Sequence, residues 1–134
     1  MEMEFLMLSD YVEALNQKLY VMGGAWNQIN APSFPHNQRM GIAVSIICDA
    51  EEAPLRFPLR ISIYDVMAER LAIPEITGDV AIEKAETGTR PRILVAINVG
   101  FPVPGPGQYR VTATIEPNLR KETYFDARLS RPLS

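Results

Sequence analysis

The chain has 134 residues, a length typical of one domain, with 47% hydrophobic and 22% charged residues. The formal net charge of −3 is too small to indicate an acidic tail or a nucleic-acid partner. Its single cysteine, Cys48, excludes an internal disulfide, so nothing argues for an oxidising compartment. We therefore expect one domain over residues 1–134 that binds no nucleic acid.

The beginning of the chain carries no targeting signal that we recognise. It is acidic, and its apolar run Phe5–Leu8 is only four residues long. No segment approaches the roughly 20 apolar residues of a membrane span. We expect a protein of the cytoplasm, or one held inside a phage-type particle, without membrane contact.

Alternation of apolar and polar residues with a period of two predicts most of the elements. The clearest case begins at Leu55, where Leu, Phe, Leu, Ile and Ile alternate with polar residues and Pro58 indicates an edge strand or a bulge. In chain order the predicted strands are 4–9, 18–22 continued through 25–29, 41–49, 55–64, 78–84, 92–100, 108–116 and 120–129.

The connections between these strands are predicted less directly. Residues 10–17 read as a short connection with some helical character, and residues 30–39 as a long polar loop stiffened by two prolines. Residues 65–76 fit either one helical turn or a loop into a short strand. Residues 131–134 are expected to be a frayed tail.

A Pro/Gly corner at Phe101–Gly107 leads into the strand that anchors the prediction of the fold. Tyr109, Val111, Ala113 and Ile115 share one face of that strand, and a tyrosine at such a turn helps to fix a corner of a β-sandwich. Eight or nine strands with little helix predict a single antiparallel immunoglobulin-like (Ig-like) β-sandwich.

Three stretches carry a resemblance to a known family: Phe5–Tyr11, Lys18–Ile29 and Phe101–Tyr109. In these stretches the chain resembles small bacterial and phage-borne proteins grouped as a domain of unknown function, DUF6941. The resemblance covers most of the chain and implies a β-sandwich of about this length. It implies no activity, so no catalytic residue is carried over. The chain departs from the family pattern near Asp65, where a tight Asp/Gly turn is usual.

Enzymatic and metal chemistry finds little support. There is no phosphate-binding glycine loop, and one histidine (His36) with one cysteine cannot form a zinc site without carboxylates. Cys48 continues an apolar alternation and reads as a small core residue. Strand-end aspartates could converge on Ca²⁺ in principle, but no loop has closely spaced acids. We expect no catalytic residue, no cofactor and no metal.

Trp26 is the side chain most suggestive of a ligand. It follows Gly23-Gly24, precedes Asn27, and lies six residues after Tyr20, so these three residues could stack on and hydrogen-bond a sugar or another small ligand. The alternative is that Trp26 anchors the core or its rim.

Association is the other functional prediction. Strand 4–9 is apolar on both faces, including Leu6 and Leu8, and Ile47 is apolar against the alternation of its own strand. We expect a non-enzymatic interaction or assembly module, a homo-oligomer and most simply a dimer, that covers these residues. Residues 10–17 or 65–76 could instead fold over the same face.

Overall fold

A computed structural model describes residues 1–130, which form ten strands and one 3₁₀ turn at Ala50–Glu52. No helix in this range is long and apolar enough to cross a bilayer. The strands are β1 (Glu2–Leu15), β2 (Lys18–Gly24), β3 (Gln28–Ala31), β4 (His36–Ile47), β5 (Leu55–Asp65), β6 (Arg70–Leu71), β7 (Ile76–Ile82), β8 (Arg92–Val103), β9 (Gly107–Ile115) and β10 (Leu119–Leu129).

The strands form two packed sheets, which confirms the prediction of an all-β sandwich. The four-stranded sheet has the order β2-β1-β4-β8, and the six-stranded sheet has the order β3-β10-β9-β5-β6 with β7 also paired to β5. All pairs are antiparallel except one, because β3 runs parallel to β10. The expectation of a purely antiparallel sandwich is therefore wrong at this edge.

The core lies between the sheets and is built from the inward faces that the alternation predicted. Tyr109 stacks on Phe125 with ring centroids 5.1 Å apart, and Val111 and Cys48 are fully buried, as predicted. Leu129 continues the alternation of Phe125 and Ala127, which predicts a place in the core, but it is exposed. The longest inward runs of the core come from β4 and β5: Met40, Ile42, Val44, Ile46, Phe57, Leu59, Ile61 and Ile63.

The Pro/Gly corner is closed by a hydrogen bond from its tyrosine. The Tyr109 hydroxyl donates to the Gly105 carbonyl at 2.8 Å, while the ring is 1% exposed. The predicted role of this tyrosine at the corner is thereby confirmed.

Pro58 lies on a strand that is only partly an edge. It is opposite Asp79 of β7, but the pairing of β5 with β9 begins two residues later, at Arg60. Because one side of β5 has no neighbouring strand at Pro58, no inter-strand hydrogen bond is lost there for lack of a proline N–H.

Residues 10–17 are the end of a strand and a hairpin turn, not a helical connection. β1 continues to Leu15, and the turn to β2 consists of Asn16 and Gln17 alone, both with positive φ (52° and 60°). Positive φ at both central residues is the geometry of a type I′ hairpin turn, whose twist matches that of the two strands. Asp10 packs against Gly23 so closely that a Cβ there would lie 2.2 Å from its carboxylate, and Gly23 has a φ of +59°.

Two other boundaries differ from the prediction. β4 begins at His36, within the predicted loop, because its polar residues lie opposite Phe101–Val103 of a longer β8. Residues 25–29 do not continue β2 but cross to the six-stranded sheet, where Gln28 begins β3. Residues 65–76 form a turn and the short β6. The frayed tail expected at 131–134 lies outside the described residues.

The β1–β2 hairpin beyond Ser9 lies against the outer face of the four-stranded sheet. β1 pairs with β4 as far as Ser9↔Gly41, and the Ser9 hydroxyl donates to the Gly41 carbonyl at 3.3 Å. A Cβ at Gly41 would lie 2.9 Å from the Val12 nitrogen, so only glycine permits this approach. Val12 is 1% exposed yet is not part of the core between the sheets. The hairpin therefore covers the outer face around Gly41, but it is not the cover considered above for Leu6 and Leu8, which pack on the core between the sheets.

Candidate functional site

A groove opens at one edge of the sandwich, between the two sheets. It has a volume of about 520 Å³ and is hereafter the Trp26 groove; its lining residues are Phe5, Leu6, Met7, Leu8, Ala25, Trp26, Asn27 and Thr123. The structure thus brings together four of the residues singled out from the sequence.

The crossing segment between β2 and β3 shapes the top of this groove. Ala25 has a φ of 62°, a left-handed conformation that ends β2 and redirects the chain. Its N–H donates to the Leu8 carbonyl at 2.7 Å, and two residues later the Asn27 carbonyl accepts from the Asp126 N–H at 2.9 Å. The segment is therefore bonded to both sheets, with Trp26 between the two attachment points.

Trp26 is half-buried and packs edge-to-face against Phe125, with centroids 5.9 Å apart and planes at 80°. This contact agrees with the alternative given for Trp26, an anchor at the rim of the core, while its contact with a ligand stays a prediction. Its indole N–H is buried and has no hydrogen-bond acceptor among residues 1–130. A buried donor without an acceptor costs about 1–3 kcal/mol, which is unusual for a tryptophan at an open groove.

Strand edges without a neighbour flank the groove on both sides. β1 pairs with β4 from Glu2, but its pairing with β2 begins only at Ser9. On the other sheet, β10 pairs with β9 from Leu119, but its pairing with β3 begins only at Asp126. Within the part of the chain that the structure describes, the outer edges of β1 before Ser9 and of β10 before Asp126 therefore have no strand paired to them.

Tyr20 does not lie at the Trp26 groove. Its strand places it on the solvent side of the β1–β2 hairpin, opposite Glu13. Cross-strand partners and residues two apart point to the same side of a hairpin, so six side chains share this surface. We call it the hairpin face: Tyr11, Glu13, Leu15, Lys18, Tyr20 and Met22.

The hairpin face is largely apolar although it faces water. Tyr11 is 46% exposed, Leu15 and Tyr20 are each 51% exposed, and Met22 is 68% exposed. This surface does not follow from the sequence when residues 10–17 are interpreted as a connection. The alternation of Tyr11, Glu13 and Leu15 was the available signal.

Leu8 and Ile47, which were expected to need cover from another chain, are buried within this one. Leu8 is 2% exposed and belongs to the core, and Ile47 is 6% exposed. Leu6 is half-buried against the core. The side chains of Leu8 and Ile47 are thus not available as a contact surface.

The most tightly connected charges lie at the start of β1. The register of β1 and β4 shifts between Met3 and Phe5, and this bulge at Glu4 directs its carboxylate towards β4 and β8. Arg92 donates to it twice, at 2.5 and 3.0 Å, and the Ser45 hydroxyl donates at 2.7 Å. The hydrogen bonds from Arg92 and then Ser45 lower the pKa of Glu4 from 4.5 to about 2. A carboxylate engaged in this way joins strands and is not a free base.

Metal binding has no support in the described range, where no group of three His, Cys, Asp or Glu side chains could hold an ion. His36 contacts Gln38, with Nε2 3.2 Å from the amide oxygen. Burial raises the pKa of the Cys48 thiol, which disfavours the reactive thiolate.

The fold and the groove define a class of protein: two packed β-sheets with an open edge between them. Within that class, the chain belongs to the family described as a family of unknown function, DUF6941, whose model matches residues 4–128. No match was found among curated proteins.

Among solved structures, the chain is similar to part of a β-glucosidase from Listeria innocua. The complex with isofagomine is 13% identical, with a TM-score of 0.50 over 94% of this chain and 16% of that one. The complex with glucose is 14% identical, with a TM-score of 0.49 over 76% of this chain and 15% of that one. The chain spans about a sixth of the length of that enzyme, and the likeness concerns the fold alone.

Proposed function

We propose that this protein is a non-enzymatic, Ig-like interaction module that associates with a second copy of itself through the hairpin face. One observation carries the proposal: four large apolar side chains, each exposed by roughly half or more, lie together on the solvent side of a single hairpin. Scattered exposed apolar residues are ordinary on protein surfaces, but a contiguous patch marks a contact site.

The composition of the hairpin face suits protein contact. Tyrosine and methionine are enriched at the centres of interfaces, where they bury a large area with few rotatable bonds or adapt to an irregular partner. Tyr11 and Tyr20 lie on neighbouring strands, each beside an apolar or aliphatic side chain of the same face. The face therefore offers a largely apolar surface that loses water readily on contact.

A second copy is the partner that the charges favour. The hairpin face carries one acid, Glu13, and one base, Lys18. When two such faces pack about a two-fold axis, Glu13 of one copy can lie near Lys18 of the other, and the reverse contact follows by symmetry. A net charge of −3 is small enough that repulsion between copies is weak.

The size of the hairpin face determines how tightly two copies are expected to associate. A standard stable interface buries about 800 Å² on each partner, more than six side chains of one hairpin supply. We therefore expect a dissociation constant in the micromolar range. The resemblance to bacterial and phage-borne proteins supports a setting in the cytoplasm or within a phage-type particle.

Sedimentation velocity over a range of concentrations tests the proposal, with two matched methionine variants. Met22→Lys places a charge in the hairpin face, and Met67→Lys makes the same change at a residue that is 76% exposed but lies between β5 and β6. We expect the unmodified chain and Met67→Lys to associate as concentration rises and Met22→Lys to remain monomeric. A chain that stays monomeric throughout, or equal association of both variants, contradicts the proposal.

A charge exchange tests the two-fold arrangement separately. Glu13→Lys alone should weaken association, because it brings like charges together across the axis. Adding Lys18→Glu should restore it, because the opposite signs are re-established. Failure of the double variant to recover, while Met22→Lys still abolishes association, would retain the hairpin face but reject the two-fold arrangement.

A further inference from the structure

The Trp26 groove lies apart from the hairpin face, and its main chain indicates what it can bind. In an antiparallel pair, successive residues alternate between main-chain groups that point to the partner strand and groups that point away from it. The Leu8 carbonyl points away from β4, because it accepts from the Ala25 N–H at 2.7 Å. Leu6, two residues earlier, must present its N–H and C=O in the same direction, towards the groove.

Beside Leu6, no strand of residues 1–130 continues the line of β2. β2 leaves that line at Ala25, whose φ of 62° carries the chain across to the other sheet. Across the groove, the N–H of Asp126 is bonded to Asn27, so Tyr124 and Glu122 present their main-chain groups to the same opening. The groove is thus bordered by main-chain donors and acceptors at strand spacing.

We propose that the Trp26 groove accepts an extended segment of another polypeptide, which adds to β1 as a strand beside Phe5–Leu8. The added segment continues the line of β2, runs antiparallel to β1, and pairs with the main chain of Leu6. This mode of recognition takes affinity from the main chain and specificity from alternate side chains.

The lining of the groove defines the side chains that fit. One side of an added strand faces the interior, where Leu6, Trp26 and Thr123 offer apolar contact. Apolar side chains at alternate positions of the partner therefore suit it. Carbonyl groups of the added strand also bring acceptors to the side of the groove where Trp26 lies, and its indole N–H has no acceptor among residues 1–130.

Other occupants fit the groove less well. A sugar needs several side-chain hydrogen-bond partners, and besides the indole N–H of Trp26 the lining offers only the side chains of Asn27 and Thr123. A second copy of this chain presents β1 already paired to β4, so it can meet the edge but cannot enter the groove. An isolated extended segment can pair with the edge of β1 and also enter the groove.

Selection from a displayed library of random dodecapeptides against the full chain provides the probe. Selected peptides are synthesised and titrated while the emission of Trp26, the single tryptophan of the protein, is recorded. We expect alternating apolar residues in the peptides, a shift of the emission on binding, and slowed hydrogen exchange at the Leu6 amide. Selected peptides that leave both readouts unchanged, or no selected peptides, overturn the proposal.

Methylation of the peptide's own amide nitrogens provides the most specific readout and needs no protein variant. In an added strand only every second N–H faces β1, so N-methylation should weaken binding by about tenfold or more at alternate positions and have little effect between them. Weakening without this alternation excludes strand addition.

Two threonine variants locate the binding on the protein. Thr123→Arg fills the groove, whereas Thr87→Arg makes the same change at an exposed turn between β7 and β8. Peptide binding should be lost in the first and retained in the second, with urea unfolding confirming that both fold. If Thr123→Arg abolished glycan binding or dimerisation in sedimentation but left peptide binding intact, the groove would belong to the glycan or to a second copy instead.

Discussion

The carboxamide of Asn98 is hydrogen-bonded to both main-chain groups of Val12. Its oxygen accepts from the Val12 N–H at 3.1 Å, and its nitrogen donates to the Val12 carbonyl at 2.7 Å. One side chain of β8 thus makes the two bonds that a neighbouring strand would make, and it holds the β1–β2 hairpin against the outer face of the sheet.

We expect Asn98→Asp to destabilise the protein by about 2 kcal/mol, because the carboxylate offers no donor to the buried Val12 carbonyl. Asn37→Asp is the matched control, since Asn37, like Asn98, is an exposed residue of a strand in the same sheet. The free energies of unfolding in urea at neutral pH provide the comparison. Equal effects of the two substitutions would show that the bond to Val12 does not hold the hairpin.

Tyr109 should show separable contributions from its ring and its hydroxyl. Tyr109→Ala removes a fully buried ring that stacks on Phe125 and should cost about 3 kcal/mol or more. Tyr109→Phe keeps the ring and removes only the hydrogen bond to the Gly105 carbonyl, so it should cost about 1 kcal/mol. Urea unfolding of both variants tests this; a costlier phenylalanine variant would place the main role in the hydroxyl.

Gln17 is a position where the protein can be made more stable. It has a φ of 60° in the hairpin turn, a conformation that costs an L-residue about 1–2 kcal/mol and glycine almost nothing. The greater entropy of glycine in the unfolded chain offsets part of this gain. Gln17→Gly should therefore stabilise the protein by about 0.5–1 kcal/mol. The midpoint of thermal unfolding should rise for Gln17→Gly. It should not rise for Gln17→Ala, because alanine still carries a Cβ.

Glu4 should make stability depend on pH in the acid range. Its pKa in the folded protein is lowered from 4.5 to about 2, chiefly by the hydrogen bonds from Arg92. Because the folded-state pKa is the lower one, ionised Glu4 stabilises the fold above about pH 4.5, and this contribution disappears as the pH falls towards about 2. The stability difference between the unmodified chain and Glu4→Gln should therefore shrink over that interval. A constant difference would mean that Glu4 does not titrate there.

The sequence alone determined which residues alternate and where the chain must turn. A strand has a side-chain period of two whatever its partner, so the runs beginning at Leu55 and Tyr109 could be read without knowing what they pair with. Gly105 and Tyr109 are only four residues apart in the chain, so the hydrogen bond between them could also be predicted from local sequence. Cys48 could be placed in the core for the same local reason.

Tertiary structure decided the course of residues 10–29 and therefore both candidate surfaces. The contacts that place the hairpin join Val12 to Asn98, 86 residues away, and Ser9 to Gly41, 32 residues away. The groove exists because Ala25 leaves β2 and the chain crosses to β10, which is near the opposite end of the sequence. Alternation states that a strand has two faces, but it does not state which distant element covers each face or which edge stays open. Those outcomes depend on packing between segments far apart in the chain, and local patterns do not encode that packing.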